Sequence, residues 1–147
     1  MKTLAVAALA WTGLLFGLPA RGELPAISLN AGIHIIRAEV ANTFETRARG
    51  LMYRDSLGPN QGMLFVFPGV ERQCMWMKNT PMPLSVAFID EGGAVVSISE
   101  MVPHTEDSHC SDRPARFALE MSKGWFAGKG IRAGAKLQGL DKAPRPQ

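Results

Sequence analysis

Met63-Leu64-Phe65-Val66-Phe67 is an unbroken apolar run, bounded by Gly62 before it and Pro68-Gly69 after it. Side chains on a strand alternate between faces. A run that is apolar on both faces therefore has to be covered on both. We read it as the central strand of a sheet, with the chain turning at Pro68-Gly69. The rest of the chain then has to supply its neighbours and two covering layers.

Downstream, Gln73–Lys78 has the look of a further strand, with Cys74, Trp76 and Lys78 on one face and Gln73, Met75 and Met77 on the other. Pro81 and Pro83 make the following segment irregular. Val86–Ile89 and Ala94–Met101 form a predicted hairpin around Asp90-Glu91-Gly92-Gly93, with Val96 and Ile98 inward and Ser97 and Ser99 outward. Val102–Pro114 reads as a long polar loop. Ala115–Met121 reads as a strand with Phe117, Leu119 and Met121 inward and Arg116 and Glu120 on the opposite face. Ser122 is placed to cap a short helix through Trp125 and Phe126. Ala135–Leu140 closes the domain, and the Pro-containing tail Asp141–Gln147 is expected to be disordered.

Upstream, Ile27–Leu29 and Ile33–Val40 are β-branched and read as strands after a loose lead at Glu23–Pro25. Asn42 is placed to cap a helix, with Glu45 reaching back. That helix ends at Gly50, with Arg47 and Arg49 in its last turn. The fold class is α+β: a β-rich rolled sheet or partial barrel of short, mostly antiparallel strands with two short helices.

The first 22 residues belong to a different problem. Lys2 is a positive start, Leu4 to Leu18 is an uncharged and mostly apolar stretch, and Ala20-Arg21-Gly22 places small residues three and one before a cut. This is the pattern of a secretory signal peptide over residues 1–22. The apolar run is shorter than the roughly 20 residues of a spanning helix, and no later run is long enough to span. We therefore expect one globular domain over residues 23–140, working in the periplasm or secreted. Removing Lys2 and Arg21 lowers the formal charge from +3 to +1. A nucleic-acid partner is not expected at that balance, because such binders neutralise many phosphates. Cys74 and Cys110 are an even pair in an exported chain, which favours a disulfide over a thiolate metal site or two free thiols.

Several motifs occur together and in order: Arg49-Gly50-Leu51-Met52-Tyr53-Arg54, Gly62-Met63-Leu64-Phe65-Val66-Phe67, Trp76-Met77-Lys78-Asn79-Thr80 with Pro83-Leu84, then Phe88-Ile89-Asp90 and Gly93. Arg116-Phe117-Ala118-Leu119-Glu120 and Gly130-Ile131-Arg132-Ala133-Gly134 follow. Over roughly residues 33–140 the chain resembles the domain of unknown function 192 family. The resemblance implies a small β-rich fold, often exported, and no established activity. The family pattern usually has Asp after Pro-Leu, where this chain has Ser85.

The candidate ligand-binding set is Arg49, Arg54, Trp76, Lys78, Asn79 and Thr80. A flat ring, cations with bidentate reach and neutral donors suit a small polar or anionic ligand, including a saccharide. Each residue also has a plain structural reading. Arg49 suits a helix C-terminus, Asn79-Thr80 before Pro81 suits a turn, Trp76 suits a core and Glu120 suits an ion pair. An enzyme on the same patch would use Lys78 and Glu120 as its proton-handling pair. A soft-metal alternative draws on Met52, Met63, Met75, Met77, Met82, Met101 and Met121 with His104, His109 and Cys110, ligand types that suit Cu(I). Methionine is also a common core filler, and no His or Cys pair has zinc-finger spacing, so no metal or cofactor is expected. A protein-interaction role in envelope assembly would instead need a large exposed apolar patch. The leader reading predicts that N-terminal sequencing of the exported protein begins at Glu23; a start at Met1 would show an uncleaved anchor.

Overall fold

The computed structural model describes residues 22–147, so all but the last residue of the expected leader lies outside the described residues. Nine strands form: β1 Ala26–Ala31, β2 His34–Ala41, β3 Gln61–Glu71, β4 Cys74–Met75, β5 Leu84–Ile89, β6 Val95–Met101, β7 His109–Cys110, β8 Ala115–Ser122 and β9 Leu137–Gln138. Helices α1 (Phe44–Arg49) and α2 (Trp125–Gly128) are short. Seven strands make one sheet in the order β6-β5-β8-β3-β2-β1-β9, and β4 pairs with β7 apart from it. The outer strands approach each other at one end, where Ala94 bridges Lys136 and the Leu137 N–H donates to the Gly93 carbonyl at 2.9 Å. The sheet is thus rolled into a partial barrel.

All pairings are antiparallel except β2 with β3. A parallel pair needs a crossover, and α1 lies in it. The two sides of the sheet bury separate apolar layers. One draws on every strand of the sheet, including Leu29, Ile36, Leu64, Ala87, Val95, Leu119 and Leu137, and fills the inside of the roll. The other contains Met63, Phe65, Val86, Phe88 and Ala118, and is covered by loop residues Leu51, Met77 and Met82. Met63–Val66 feeds both layers alternately, as its two-sided apolarity requires. Gly62 sits where β3 comes closest to β8; a Cβ there would collide with the Glu120 carbonyl and the Met121 sulfur.

Several local expectations are corrected. Thr43, not Asn42, caps α1: its hydroxyl accepts from the Thr46 N–H at 3.2 Å, and the Thr46 hydroxyl accepts from the Thr43 N–H at 3.0 Å. Asn42 is occupied elsewhere, since its Nδ2 donates to the Arg145 carbonyl at 2.8 Å. The segment 141–147, expected to be disordered, is held by that bond, by the Gln147 N–H to the Asn42 carbonyl at 2.7 Å, and by Arg47 to the Gln147 carbonyl at 3.2 Å. Ser122 ends β8 and does not cap α2, which starts from Gly124. β3 does not turn at Pro68-Gly69 but runs on to Glu71 through a register shift. A similar shift in the β5–β6 pairing places Val96 in the outer layer and Ile98 against the inner one. It also buries Ser97, whose hydroxyl accepts from the Asp112 N–H at 3.3 Å.

The segment 102–114, which reads as a long polar loop, is not all loop. It contains β7, and Cys110 sits directly opposite Cys74 in the β4–β7 pair, where the two form a disulfide. The bond closes 36 residues of chain that include the whole β5–β6 hairpin. Replacing both cysteines by serine is expected to cost about 4 kcal/mol on the loop-entropy relation, read from urea unfolding. A thiol titration of the denatured, unreduced protein is expected to find none.

Candidate functional site

β8 lies between β3 and β5, with Glu120 opposite Met63 on one side and Val86 on the other. Sequence reading put Glu120 on an outward face. That face is in fact the outer apolar layer, and Glu120 is only 3% exposed. Burial in these surroundings disfavours the carboxylate and pushes its pKa up to about 8. At neutral pH the group is mostly a neutral acid, able to donate as well as accept.

The carboxyl does not face a sealed core. It lines a narrow cleft with Arg49, Gly50, Trp76, Lys78 and Thr80. The cleft has a free volume of about 20 Å³, room for about one water. Its walls come from two loops that are tied together. Gly50, at φ 47°, ends α1 and turns the chain over the Phe65 ring, leaving Arg49 at the helix terminus. Leu51 then plugs into the outer layer. Across the cleft, the Tyr53 N–H donates to the Asn79 carbonyl at 2.8 Å, and Asn79 Nδ2 contacts the Met52 sulfur at 4.0 Å.

The segment after β4 alternates as expected, although only Cys74–Met75 forms ladder bonds. Gln73 and Met77 are buried, whereas Trp76 is 45% exposed. Lys78 Nζ sits 5.1 Å from the centre of the Trp76 ring and 3.5 Å from Glu106. Both partners of that ion pair are well exposed, so it holds Lys78 only weakly. Thr80 is buried, and its hydroxyl donates to the Lys78 carbonyl at 3.1 Å. Among the described residues Arg49 forms no salt bridge.

Five of the residues singled out from sequence therefore line one cleft: Arg49, Trp76, Lys78, Thr80 and Glu120. Two do not. Arg54 grips Glu39 through both guanidinium nitrogens, at 2.7 and 2.5 Å, and this hydrogen bonding raises its pKa further. Asn79, at φ 53°, serves the turn and the loop-to-loop tie. Lys78 and Glu120 share the cleft without forming a salt bridge. Ser85 is fully buried away from it; its hydroxyl donates to Glu100 at 2.8 Å and accepts from the Gly124 N–H at 2.8 Å. Of the methionines, Met121 packs in the inner layer, and Met63, Met77, Met82 and Met101 pack as core residues in the outer one. Cys110 is held in the disulfide. Among the described residues no cluster of three His, Cys, Asp or Glu side chains could hold a metal ion.

Sequence reading missed Glu106 as the partner of Lys78, Glu39 as the partner of Arg54, and Phe65 and Met75 as cleft walls. The signal for Phe65 was present in the alternation of β3; the acidic partners lie too far along the chain to be read locally.

A raised carboxyl pKa means that the folded protein keeps a proton the unfolded chain has already released. Stability is then greatest at or below the ordinary carboxyl pKa and falls as pH climbs towards about 8. The slope from this one group approaches about 1.4 kcal/mol per pH unit. Urea unfolding at pH 5, 7 and 9 is expected to show this fall in the wild type and a flatter profile in Glu120→Gln. Parallel profiles would mean that Glu120 is ionised in the fold.

Comparison with known proteins places this architecture. A protein from Sinorhizobium meliloti 1021, provisionally described as a transcription regulator, is 31% identical and superposes with a TM-score of 0.77, over 82% of this chain and 98% of its own. A protein of unknown function from Novosphingobium aromaticivorans DSM 12444 is 31% identical with a TM-score of 0.76, over 83% of this chain and 90% of its own. No curated protein matches. The sequence pattern of DUF192, described as Uncharacterized ACR, COG1430, matches residues 26–139. With that match and two folded relatives of like sequence, the chain belongs to the DUF192 family.

Proposed function

We propose that this domain works outside the cytoplasm and binds a small polar or anionic ligand at the Glu120 cleft. The observation that carries this reading is the convergence of a buried neutral acid, two exposed cations and an exposed indole ring on one opening. A buried carboxyl with no salt bridge among the described residues shares this opening with groups that grip an anion or a hydroxyl. Arg49 and Lys78 would hold a negative group, Trp76 would lie against a ring or sugar face, and Glu120 would donate a hydrogen bond. Export agrees with the disulfide, which is at home in an oxidising compartment. It also agrees with the lack, among the described residues, of a helix long and apolar enough to cross a membrane. The regulator description of the Sinorhizobium protein is not adopted for this chain, whose charge after removal of the leader gives no phosphate-binding field.

One observation favours a second reading. A carboxyl with a pKa near 8 beside a lysine in a cleft is poised for general acid–base work. In that case Glu120→Gln would bind ligand and lose turnover.

A thermal-shift screen of the exported protein against sugars, uronic acids, organic acids and nucleotides tests the binding reading. A true ligand is expected to raise the wild-type melting temperature and to leave that of Lys78→Ala unchanged. Equal stabilisation of both proteins would place binding elsewhere.

A further inference from the structure

The polar cleft has an apolar neighbour. A groove of about 230 Å³ runs beside it, lined by Phe44, Ala48, Phe65, Phe67, Met75 and Trp76. Ala48, Phe65, Met75 and Trp76 line both hollows, so the two are continuous. Phe44 is the first residue of α1, a helix that buries none of its side chains, and it is 73% exposed. No packing role accounts for a phenyl ring held there. Beside the groove, Trp76 presents a second large apolar surface to solvent.

Charge is distributed unevenly along this combined hollow. The cleft end has Arg49, with no salt bridge among the described residues, and Lys78, which lies over the Trp76 ring and pairs with an exposed glutamate. One further cation, Arg47, lines both hollows, and its guanidinium is already used. It donates to the carbonyls of Asn42 at 2.7 Å, Val66 at 3.1 Å and Gln147 at 3.2 Å. The surface is therefore cationic at one end and apolar at the other, with the indole between them serving both.

We infer that the ligand is a small amphipathic carboxylate, its charged end between Arg49 and Lys78 and its ring or short alkyl arm along Trp76 and Phe44. This inference rests on the reading of the Glu120 cleft as a ligand site. The groove suits a ring or a short chain rather than a full lipid tail, so the occupant is a free small molecule and not a bilayer.

Isothermal titration of the exported protein with acetate, hexanoate, phenylacetate and hexanamide tests it. Hexanoate or phenylacetate is expected to bind about tenfold tighter than acetate, from the apolar area each arm covers. Hexanamide, which lacks the charge, is expected not to bind. Phe44→Ser, at an exposed position that leaves the fold intact, is expected to abolish most of the advantage over acetate. Lys78→Ala is expected to weaken all of the anions. Acetate and hexanoate binding alike, with Lys78→Ala still weakening both, would overturn the amphipathic ligand and leave the polar cleft standing. No anion bound by the wild type, or none affected by Lys78→Ala, would overturn the cleft reading as well. Sedimentation with anionic vesicles that hexanoate does not displace would assign the face to a membrane surface and overturn the small-molecule ligand.

Discussion

β8 is hydrogen-bonded to β3 on one side and to β5 on the other, so neither of its edges meets water. Its two faces are covered as well, one by the inside of the roll and the other by the outer apolar layer. Any ionisable group on such a strand must lose its hydration, acquire a partner or reach an opening. Glu120 takes the third course. The loops after α1 and after β4 stop short of closing over it, and the gap is the cleft. The site is thus a consequence of how the outer layer is assembled.

The loops are held by modest means. Leu51 and Met77 anchor them in the outer layer, one backbone bond joins Tyr53 to Asn79, and the disulfide fixes the start of the segment that carries Trp76 and Lys78. β4 and β7 have two residues each, too short to persist as a lone ribbon. The covalent link does what a longer ladder would do elsewhere. The tail performs a comparable service for α1, where Arg47 and Asn42 are bound to backbone carbonyls of its last residues. Both fastenings act on parts of the chain that contribute little to the cores.

The same arrangement explains why cations at the opening are of two kinds. Arg54 and Arg47 are used up in holding backbone or a carboxylate in place. Arg49 forms no salt bridge among the described residues and Lys78 has only an exposed pair with Glu106; both line the cleft, where Arg47 is the cation already tied to backbone. A basic residue near this opening is available for a ligand only when no local acceptor has claimed it, which composition cannot reveal.

Much of the sheet was legible in the order of residues, because strand periodicity and apolar runs are local facts. The two-sided core strand, the Asp90–Gly93 hairpin and the short helix ending at Gly50 follow from neighbours in the chain, and the disulfide from there being two cysteines to pair. Part of the site was legible too, since Trp76-Met77-Lys78 alternates between burial and exposure. What the order of residues could not express was which faces become interior. Glu120 reads as an outward residue until a second apolar layer is laid over its side of the sheet. Arg54 reads as a free cation until β2 brings Glu39 beside it. The tail reads as loose until α1 offers it donors. Each of these depends on contacts between residues far apart in sequence, and dielectric, pKa and partner choice are properties of those contacts alone.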